Sequence, residues 1–220
     1  MPALSEIARR TNGLTPREMH MIQTIEELEA IYGQPTARAV TKEIAYLSED
    51  YQAFVRAAPF VVLATAGAEG TDCSPKGDAP GFVRVIDAHT LAIPDRPGNN
   101  RIDNLRNIIR DPRVSLLFII PGIGETLRVN GRGEISNDPA LCASFAVDGK
   151  NPKTVITVRV DAVYFHCAKA IVRAKLWDPA QHLARDSLPS PGKILQRLQA
   201  DFDGDAYDRE LPERLRTTLY

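Results

Sequence analysis

Short apolar segments separated by tight turns occupy the middle of this 220-residue chain. They are rich in Val, Ile, Leu and Phe, and Gly, Pro or Asp residues mark the turns between them. Because few helical segments interrupt the series, successive strands are expected to pair antiparallel rather than through helical crossovers. We therefore predict a mainly β fold with helical additions, built on a six-stranded antiparallel barrel. The candidate strand segments are 59–67, 70–78, 81–87, 89–95, 113–122, 125–136 and 154–167.

Helical periodicity predicts the additions to the sheet. Thr24 and Glu27 form a capping box, and Gly33 ends the helix that they begin. The other predicted helices cover 37–57, 101–110, 138–146, 169–177 and 193–200.

The change from helical to strand-like sequence patterns along the chain predicts its domain boundaries. We assign residues 1–57 to an N-terminal helical extension and residues 58–176 to the barrel. Residues 177–220 form a polar and helical tail that packs on the barrel, so the whole chain is one domain.

Composition restricts the classes of partner. The net charge of −1 gives no overall basic field to attract nucleic acid or a membrane surface. No stretch approaches the roughly 20 apolar residues that a membrane span needs. Cys73, Cys142 and Cys167 are odd in number and far apart, which favours a reducing, cytoplasmic compartment over a disulfide framework. No cysteine or histidine spacing predicts a metal site.

The sequence DRPGNNRIDNLRNI, residues 95–108, contains more polar groups than a strand-to-helix connection needs. Gly98 allows a close approach of the main chain, and Asn99 or Asn100 suits the N-cap of the following helix. The amides at a helix start bind phosphate readily, and Arg101 adds a forked cationic donor. The alternative is a simple turn in which Arg101 is a solvated surface charge.

Two further basic residues precede this stretch. Arg84 interrupts the apolar strand Phe82–Ile86, where an unpaired charge would be costly. It could reach a ligand anion, or it could pair with Asp87 or Asp95 across the hairpin. Lys76, with Ser74, lies at the end of the preceding strand segment.

Five motifs occur in a set, and together they carry a family resemblance: CSPKGD, GFVRVID, IPDRPGNNR, PGIGETLRVNG and RAKLWDP. Over residues 55–170 the chain resembles the FMN-binding split barrels of the pyridoxamine 5'-phosphate oxidase family. Within it, the chain is most similar to a branch of small bacterial proteins described as FMN-dependent and oxidase-like. The segment WDPAQHLARDSLPSPG has no counterpart of the residues that bind pyridoxal phosphate in the true oxidase. The substrate therefore need not be pyridoxamine phosphate.

The resemblance implies roles for individual residues. Arg84, Asn99, Asn100 and Arg101 would hold the FMN phosphate. Thr126 would contact the isoalloxazine ring, which Ser74 and Lys76 would also approach, and Asp95 is placed among the cofactor-binding residues. The resemblance also implies a homodimer with two FMN molecules at the interface and residues from both chains.

Three more residues are candidates for a substrate pocket. Arg128 shares a strand face with Thr126, and it could bind a substrate anion or form a salt bridge at a dimer interface. Arg173 and Trp177, four residues apart on one predicted helix, could form a pocket wall or simply a solvated basic helix with a packed Trp.

The predicted function is that of an FMN-dependent oxidoreductase acting on an unknown small molecule. No nucleophile–base pair stands out in the sequence, as expected where the cofactor carries the redox chemistry. The alternatives are a non-catalytic flavin-binding protein for storage or sensing, or a split barrel that uses F420 or haem. A haem would need His89 or His166 as its ligand.

Overall fold

The computed structural model of the protein describes residues 21–68 and 70–220. The chain divides into two compact units, one that ends at Thr41 and one formed by Lys42–Tyr220. The first unit contains helices α1 (Ile25–Tyr32) and α2 (Ala37–Thr41). Oγ1 of Thr24 accepts the amide of Glu27 at 3.2 Å, as the capping box predicted. Residues 1–20 of the predicted N-terminal extension lie outside the described residues.

The prediction of one helix over 37–57 is wrong. Helix α2 ends at Thr41, and a new helix, α3 (Glu49–Ala57), begins after its N-cap Ser48. Between them Ile44 pairs with Val163 as an isolated β-bridge, and Leu47 is fully buried. Burial of apolar side chains against the sheet therefore outweighs the helical periodicity of this segment. These residues belong to the second unit.

In its described residues, the second unit contains seven strands rather than the predicted six. Their order in the sheet is β2-β1-β5-β6-β7-β4-β3, every pairing is antiparallel, and β2 and β3 form the two edges. The seven candidate segments of the sequence correspond to these seven strands, so only the number of strands assigned to the barrel was too low. The strands are β1 (Phe60–Gly67), β2 (Gly70–Gly77), β3 (Arg84–Asp87), β4 (Thr90–Pro94), β5 (Arg113–Ile119), β6 (Thr126–Ser136) and β7 (Val155–His166).

One face of the sheet forms the core. Along β1, Val61 and Leu63 are fully buried, and they lie opposite Phe118 and Leu116 of β5. The alternation along each strand sends these side chains inward and their neighbours to the other face. At Gly131 the pairing of β6 with β7 shifts register, and a β-carbon there would lie 2.1 Å from the carbonyl oxygen of Arg159. Only glycine allows so close an approach, and such a bulge locally bends the strand that contains it.

Helix α4 (Asp103–Arg110) is fastened to β1 by buried polar groups. Asn104 and Asn107 both donate to Oγ1 of Thr65, at 2.9 and 3.2 Å. The amide of Asn107 also donates to Asp72 of β2 at 2.6 Å. A β-carbon at Gly67 would lie 2.2 Å from Oδ1 of Asn107, so the helix approaches the strand as closely as a glycine permits. This packing holds the start of α4 beside β2.

Four more helices follow the fourth: α5 (Pro139–Ser144), α6 (Lys169–Ala174), α7 (Pro191–Leu198) and α8 (Gly204–Thr218). Short 3₁₀ turns at Pro179–Gln181 and Arg185–Ser187 lie between α6 and α7. The sequence did not predict α8. This helix packs against α7, but its segment is polar on average and gives no clear helical signal. In the described part of the chain, every helix is too short or too polar to cross a membrane.

Candidate functional site

A cavity of about 720 Å³ opens where the end of β2 faces the segment that joins β4 to α4. This volume is typical of pockets that enclose a small molecule. One wall is formed by 72–77 of β2, and the opposite wall by 94–105. Phe82, Lys153, Leu219 and Tyr220 complete the lining. The cavity thus joins segments that are distant in the sequence.

The first wall follows from the alternation of β2. Asp72, Ser74 and Lys76 lie opposite the inward-facing residues Thr65, Leu63 and Val61 of β1. Residues directly opposite each other in an antiparallel pair share a face, so these three polar side chains point inward. Because β2 is an edge strand with no further strand beyond it, they line a cavity rather than a packed core.

Two ion pairs connect the walls. Nζ of Lys76 lies 2.6 Å from Oδ1 of Asp95, and Nε of Arg96 lies 2.7 Å from Oδ2 of Asp78. Arg96 also donates to the carbonyl of Phe145 at 2.8 Å. Burial raises the pKa of Asp78, but hydrogen bonds from Tyr220, the amide of Ala79 and Arg96 together lower this pKa below its ordinary value.

The predicted N-cap at Asn99 or Asn100 is wrong. Helix α4 begins at Asp103, and its N-cap is Ile102, whose side chain cannot make a capping bond. Oδ1 of Asn99 instead accepts the amide of Arg101 at 3.1 Å and closes a turn before the helix. The reason is that the main chain takes the left-handed conformation at both Asn100 and Ile102, with φ of 57° and 54°.

The left-handed Ile102 is a strained residue. A β-branched side chain in this region costs roughly 1–2 kcal/mol, and such strain is concentrated at binding sites. Arg101 lies between the two left-handed residues and lines the cavity. Its Nε atom lies 2.7 Å from Oδ2 of Asp103, and this hydrogen bond, with the nearby charge of Asp72, raises the pKa of Arg101.

The structure brings six of the predicted site residues to this cavity: Ser74, Lys76, Asp95, Asn99, Asn100 and Arg101. Arg84 is not among the lining residues. Its guanidinium donates to the hydroxyl and carbonyl of Ser144 and lies 3.9 Å from the centre of the Phe145 ring. Neither acid suggested as its alternative partner is its partner here, since Asp87 accepts the amide of His89 and Asp95 pairs with Lys76.

Thr126 and Arg128 lie elsewhere on the sheet. Thr126 is opposite His166, and Arg128 is opposite Tyr164, to whose hydroxyl it donates at 3.0 Å. Nε2 of His166 is buried and has no hydrogen-bond partner within the described residues. Burial lowers the pKa of His166, and the charges of Arg128 and Lys42 lower it further.

The predicted pairing of Arg173 with Trp177 on one helix face is wrong. Helix α6 ends at Ala174, because Lys175 takes the left-handed conformation with φ of 49°. Trp177 therefore lies beyond the helix, where Nε1 donates to the carbonyl of Ile123 at 2.8 Å. The indole holds the loop that precedes β6.

Among the cavity residues that sequence reasoning missed are Asp72, Arg96, Lys153 and Tyr220. The alternation of Asp72, Ser74 and Lys76 along β2 could have revealed the first of these. Arg96 lies in the same DRPGNNR motif, but the sequence analysis assigned phosphate binding to the nearby Arg101. No local pattern connects Lys153 or Tyr220 to the site.

The residues present fit a flavin mononucleotide. Lys76 and Arg101 supply cations for a phosphate. The main chain before α4 presents amides on the same wall as Arg101. Ser74 and the side chains of Asn99 and Asn100 offer neutral hydrogen bonds to a polyhydroxylated chain. In the ranges 21–68 and 70–220, His, Cys, Asp and Glu side chains do not gather into a group that could hold a metal ion.

Known proteins provide an independent comparison. The sequence profile of the family described as pyridoxamine 5'-phosphate oxidase matches residues 47–167. No curated protein sequence matches the chain significantly. Many solved structures are similar to part of the chain, and three of them are described below.

A Lactobacillus delbrueckii protein that carries a provisional pyridoxamine 5'-phosphate oxidase name is 21% identical, with a TM-score of 0.45, over 55% of this chain and 95% of its own. HupZ of Group A Streptococcus is 20% identical, with a TM-score of 0.43, over 53% of this chain and 90% of its own. General Stress Protein 26 of Bacillus anthracis is 15% identical, with a TM-score of 0.40, over 51% and 88%.

Proposed function

This chain belongs to the pyridoxamine 5'-phosphate oxidase family, and we propose that it is an FMN-dependent oxidoreductase that acts on a small molecule. Family membership supports a flavin-binding split barrel. The observation that carries the finer proposal is the cavity itself, where Ser74 and Lys76 of β2 face the polar 95–101 segment.

Each wall of the cavity has its part in holding the cofactor. Lys76 and Arg101 bind the phosphate, and the turn through Asn99 and Asn100 presents main-chain amides to it. Ser74 approaches the ring or the ribityl chain. Bound FMN supplies the electron transfer, while the protein binds it, orients it and excludes water.

Lys76 and Arg101 already have carboxylate partners, Asp95 and Asp103. Phosphate therefore has to share or replace these partners when it binds. The resulting network ties β2 to the start of α4, so we expect FMN to stabilise the folded protein.

We also propose a homodimer in which the outer face of the sheet forms the interface. On this face, opposite the core, Val62 and Leu117 are directly paired, and so are Phe60 and Ile119. Phe60 remains 37% exposed. A stripe of apolar side chains on two central strands is a surface that a partner would cover.

The dimer accounts for the position of Thr126. In its own chain this residue does not line the cavity, yet the family resemblance assigns it to the flavin ring. We propose that Thr126 of the partner subunit completes the ring site. Arg128, Arg173 and Trp177 remain candidates for substrate contacts, with Trp177 acting through the 121–125 loop that it holds.

The first test is the absorption spectrum of the purified protein, before and after FMN is added to the apo form. The proposal predicts the yellow flavin bands and saturable binding. A protein that stays colourless and binds no added FMN would contradict it. Stopped-flow mixing of the FMN-loaded protein with NADH or NADPH, followed by oxygen, then separates an enzyme from a storage protein. Rapid reduction and reoxidation support catalysis, whereas a flavin that stays oxidised with both donors favours storage.

We propose the cytoplasm as its location. Cys73, Cys142 and Cys167 are all free thiols, and Cys73 and Cys167 are exposed. Exposed free thiols suit a reducing compartment. Labelling of intact and lysed cells with a membrane-impermeant thiol reagent tests this, since modification before lysis would contradict it.

A further inference from the structure

The last two residues of the chain form part of the cavity wall. Leu219 and Tyr220 follow helix α8 and line the cavity beside β2 and the segment after β4. They are separated from β2 by most of the barrel sequence. Their position is therefore a tertiary feature.

Three contacts hold Tyr220 in place. Its hydroxyl donates to Oδ1 of Asp78 at 2.7 Å, and its main-chain oxygen accepts from Nζ of Lys150 at 3.0 Å. The guanidinium of Arg96 lies 5.3 Å from the centre of its ring. Asp78 follows β2, Arg96 follows β4 and Lys150 precedes β7. Tyr220 thus joins three segments around one end of the cavity.

Two of these partners, Asp78 and Arg96, have largely buried side chains. The side chain of Asp78 is only 4% exposed, and that of Arg96 is 15% exposed. Their ion pair lies directly after the Lys76–Asp95 pair along both walls. The Tyr220 ring therefore lies against a largely buried ion pair, and it lines the cavity near Lys76.

We propose that Tyr220 is a ligand-retaining residue of this cavity, which holds bound flavin by covering the Lys76 end. The inference rests on the proposed function and deepens it, because it assigns a residue of the C-terminal segment to the site. The ring does the covering, whereas the hydroxyl and Asp78 only position it.

This division of roles predicts different behaviour for two substitutions. Tyr220→Ala removes the cover and exposes the ligand to solvent on that side. Tyr220→Phe keeps the ring on Arg96 and loses only the bond to Asp78. A purely structural role for Tyr220 would instead change stability without changing how long the ligand stays bound.

The test measures the release of FMN from the loaded protein after rapid dilution, followed by recovery of free flavin fluorescence. We expect release from Tyr220→Ala to be about tenfold faster than from the wild type, the change that about 1.4 kcal/mol produces. Tyr220→Phe should lie close to the wild type. The thermal midpoints of the apo forms are recorded beside these rates.

Tyr207 provides the matched control. It lies on the same helix α8, and its ring also contacts an arginine, Arg214, at 4.1 Å. It does not line the cavity. Tyr207→Ala should therefore release FMN at the wild-type rate, even if it lowers the thermal midpoint.

The outcomes separate the two proposals. Failure of the wild type to bind FMN overturns the proposed function and this inference with it. If the wild type binds FMN and Tyr220→Ala releases it at the same rate, the inference alone fails. It also fails if Tyr207→Ala accelerates release as much as Tyr220→Ala, because a general loosening of α8 would then be the cause.

Discussion

Nζ of Lys76, on β2, lies 2.6 Å from Oδ1 of Asp95, in the segment that follows β4. The side chains are 18% and 20% exposed, so the pair is partly shielded from solvent. It connects the two walls of the cavity. Any phosphate that binds beside Lys76 has to compete with this carboxylate.

This competition predicts opposite effects for the two partners. Lys76→Met should weaken FMN binding because it removes a cation from the site. Asp95→Asn should strengthen binding at low salt, since Lys76 then loses its internal counter-ion and is free for phosphate. Fluorescence titration of the apo proteins at two salt concentrations measures both. Weaker binding by Asp95→Asn would indicate that Asp95 itself contacts the ligand.

Substitutions of Arg101 and Arg106 test the phosphate contact proposed for the wall that precedes α4. Arg101 lines the cavity, whereas Arg106 lies a turn further along α4 and is exposed. We expect Arg101→Ala to weaken FMN binding at least several-fold and Arg106→Ala to leave it unchanged. Both substitutions remove one positive charge, so a general electrostatic effect would lower both affinities equally. Equal affinities for the two variants would exclude the proposed phosphate contact.

Leu117 tests the proposed dimer. It lies on the outer face of β5, opposite Val62 of β1. Leu117→Arg places a charge in the middle of the apolar stripe and should convert the dimer into a monomer. Val172, which is 67% exposed on α6, provides the control, as Val172→Arg adds the same charge away from the stripe. Light scattering after gel filtration gives the mass, and a dimeric Leu117→Arg protein would place the interface elsewhere.

Asn107 tests the attachment of α4. Its amide donates to Thr65 and Asp72, and it is only 8% exposed. Asn107→Leu should lower the free energy of unfolding by about 1–3 kcal/mol, because Asp72 loses this donor and Thr65 keeps only the bond from Asn104. Urea denaturation measures the change. Asn137→Ala, at an exposed position, is expected to change the free energy by less than about 0.5 kcal/mol.

Asp111 tests the pH dependence of stability. The side chain and amide of Arg113 donate hydrogen bonds to it and lower its pKa from 3.8 to about 2. Because the pKa is lower in the folded state, the ionised carboxylate stabilises the fold above about pH 4, and this contribution is lost as the pH falls towards 2. The stability difference between the wild type and Asp111→Asn should therefore shrink between pH 4 and pH 2. Denaturation at several pH values measures it, and a constant difference would contradict the assignment.

Much of the fold could be predicted because it depends on local patterns. The seven strand segments and the helix after PDRPGNNR follow from apolar alternation, turn residues and a buried helix face. The polar cluster at 74–101 could also be recognised, because its members lie in motifs that recur together. The local pattern predicted 42–48 wrongly as helix. Ile44 and Leu47 have helical spacing in the sequence, but they pack on the sheet instead.

The sequence by itself determined which segments become strands and that a basic, amide-rich turn precedes α4. Only the tertiary structure decided which side chains share a site. The register of β2 on β1 turns Ser74 and Lys76 inward, while Arg84 reaches Ser144 instead of the cavity. Tyr220 reaches Asp78 across a separation of 142 residues. Such choices depend on cross-strand register and on burial between distant segments, and neither is encoded by the spacing of neighbouring residues.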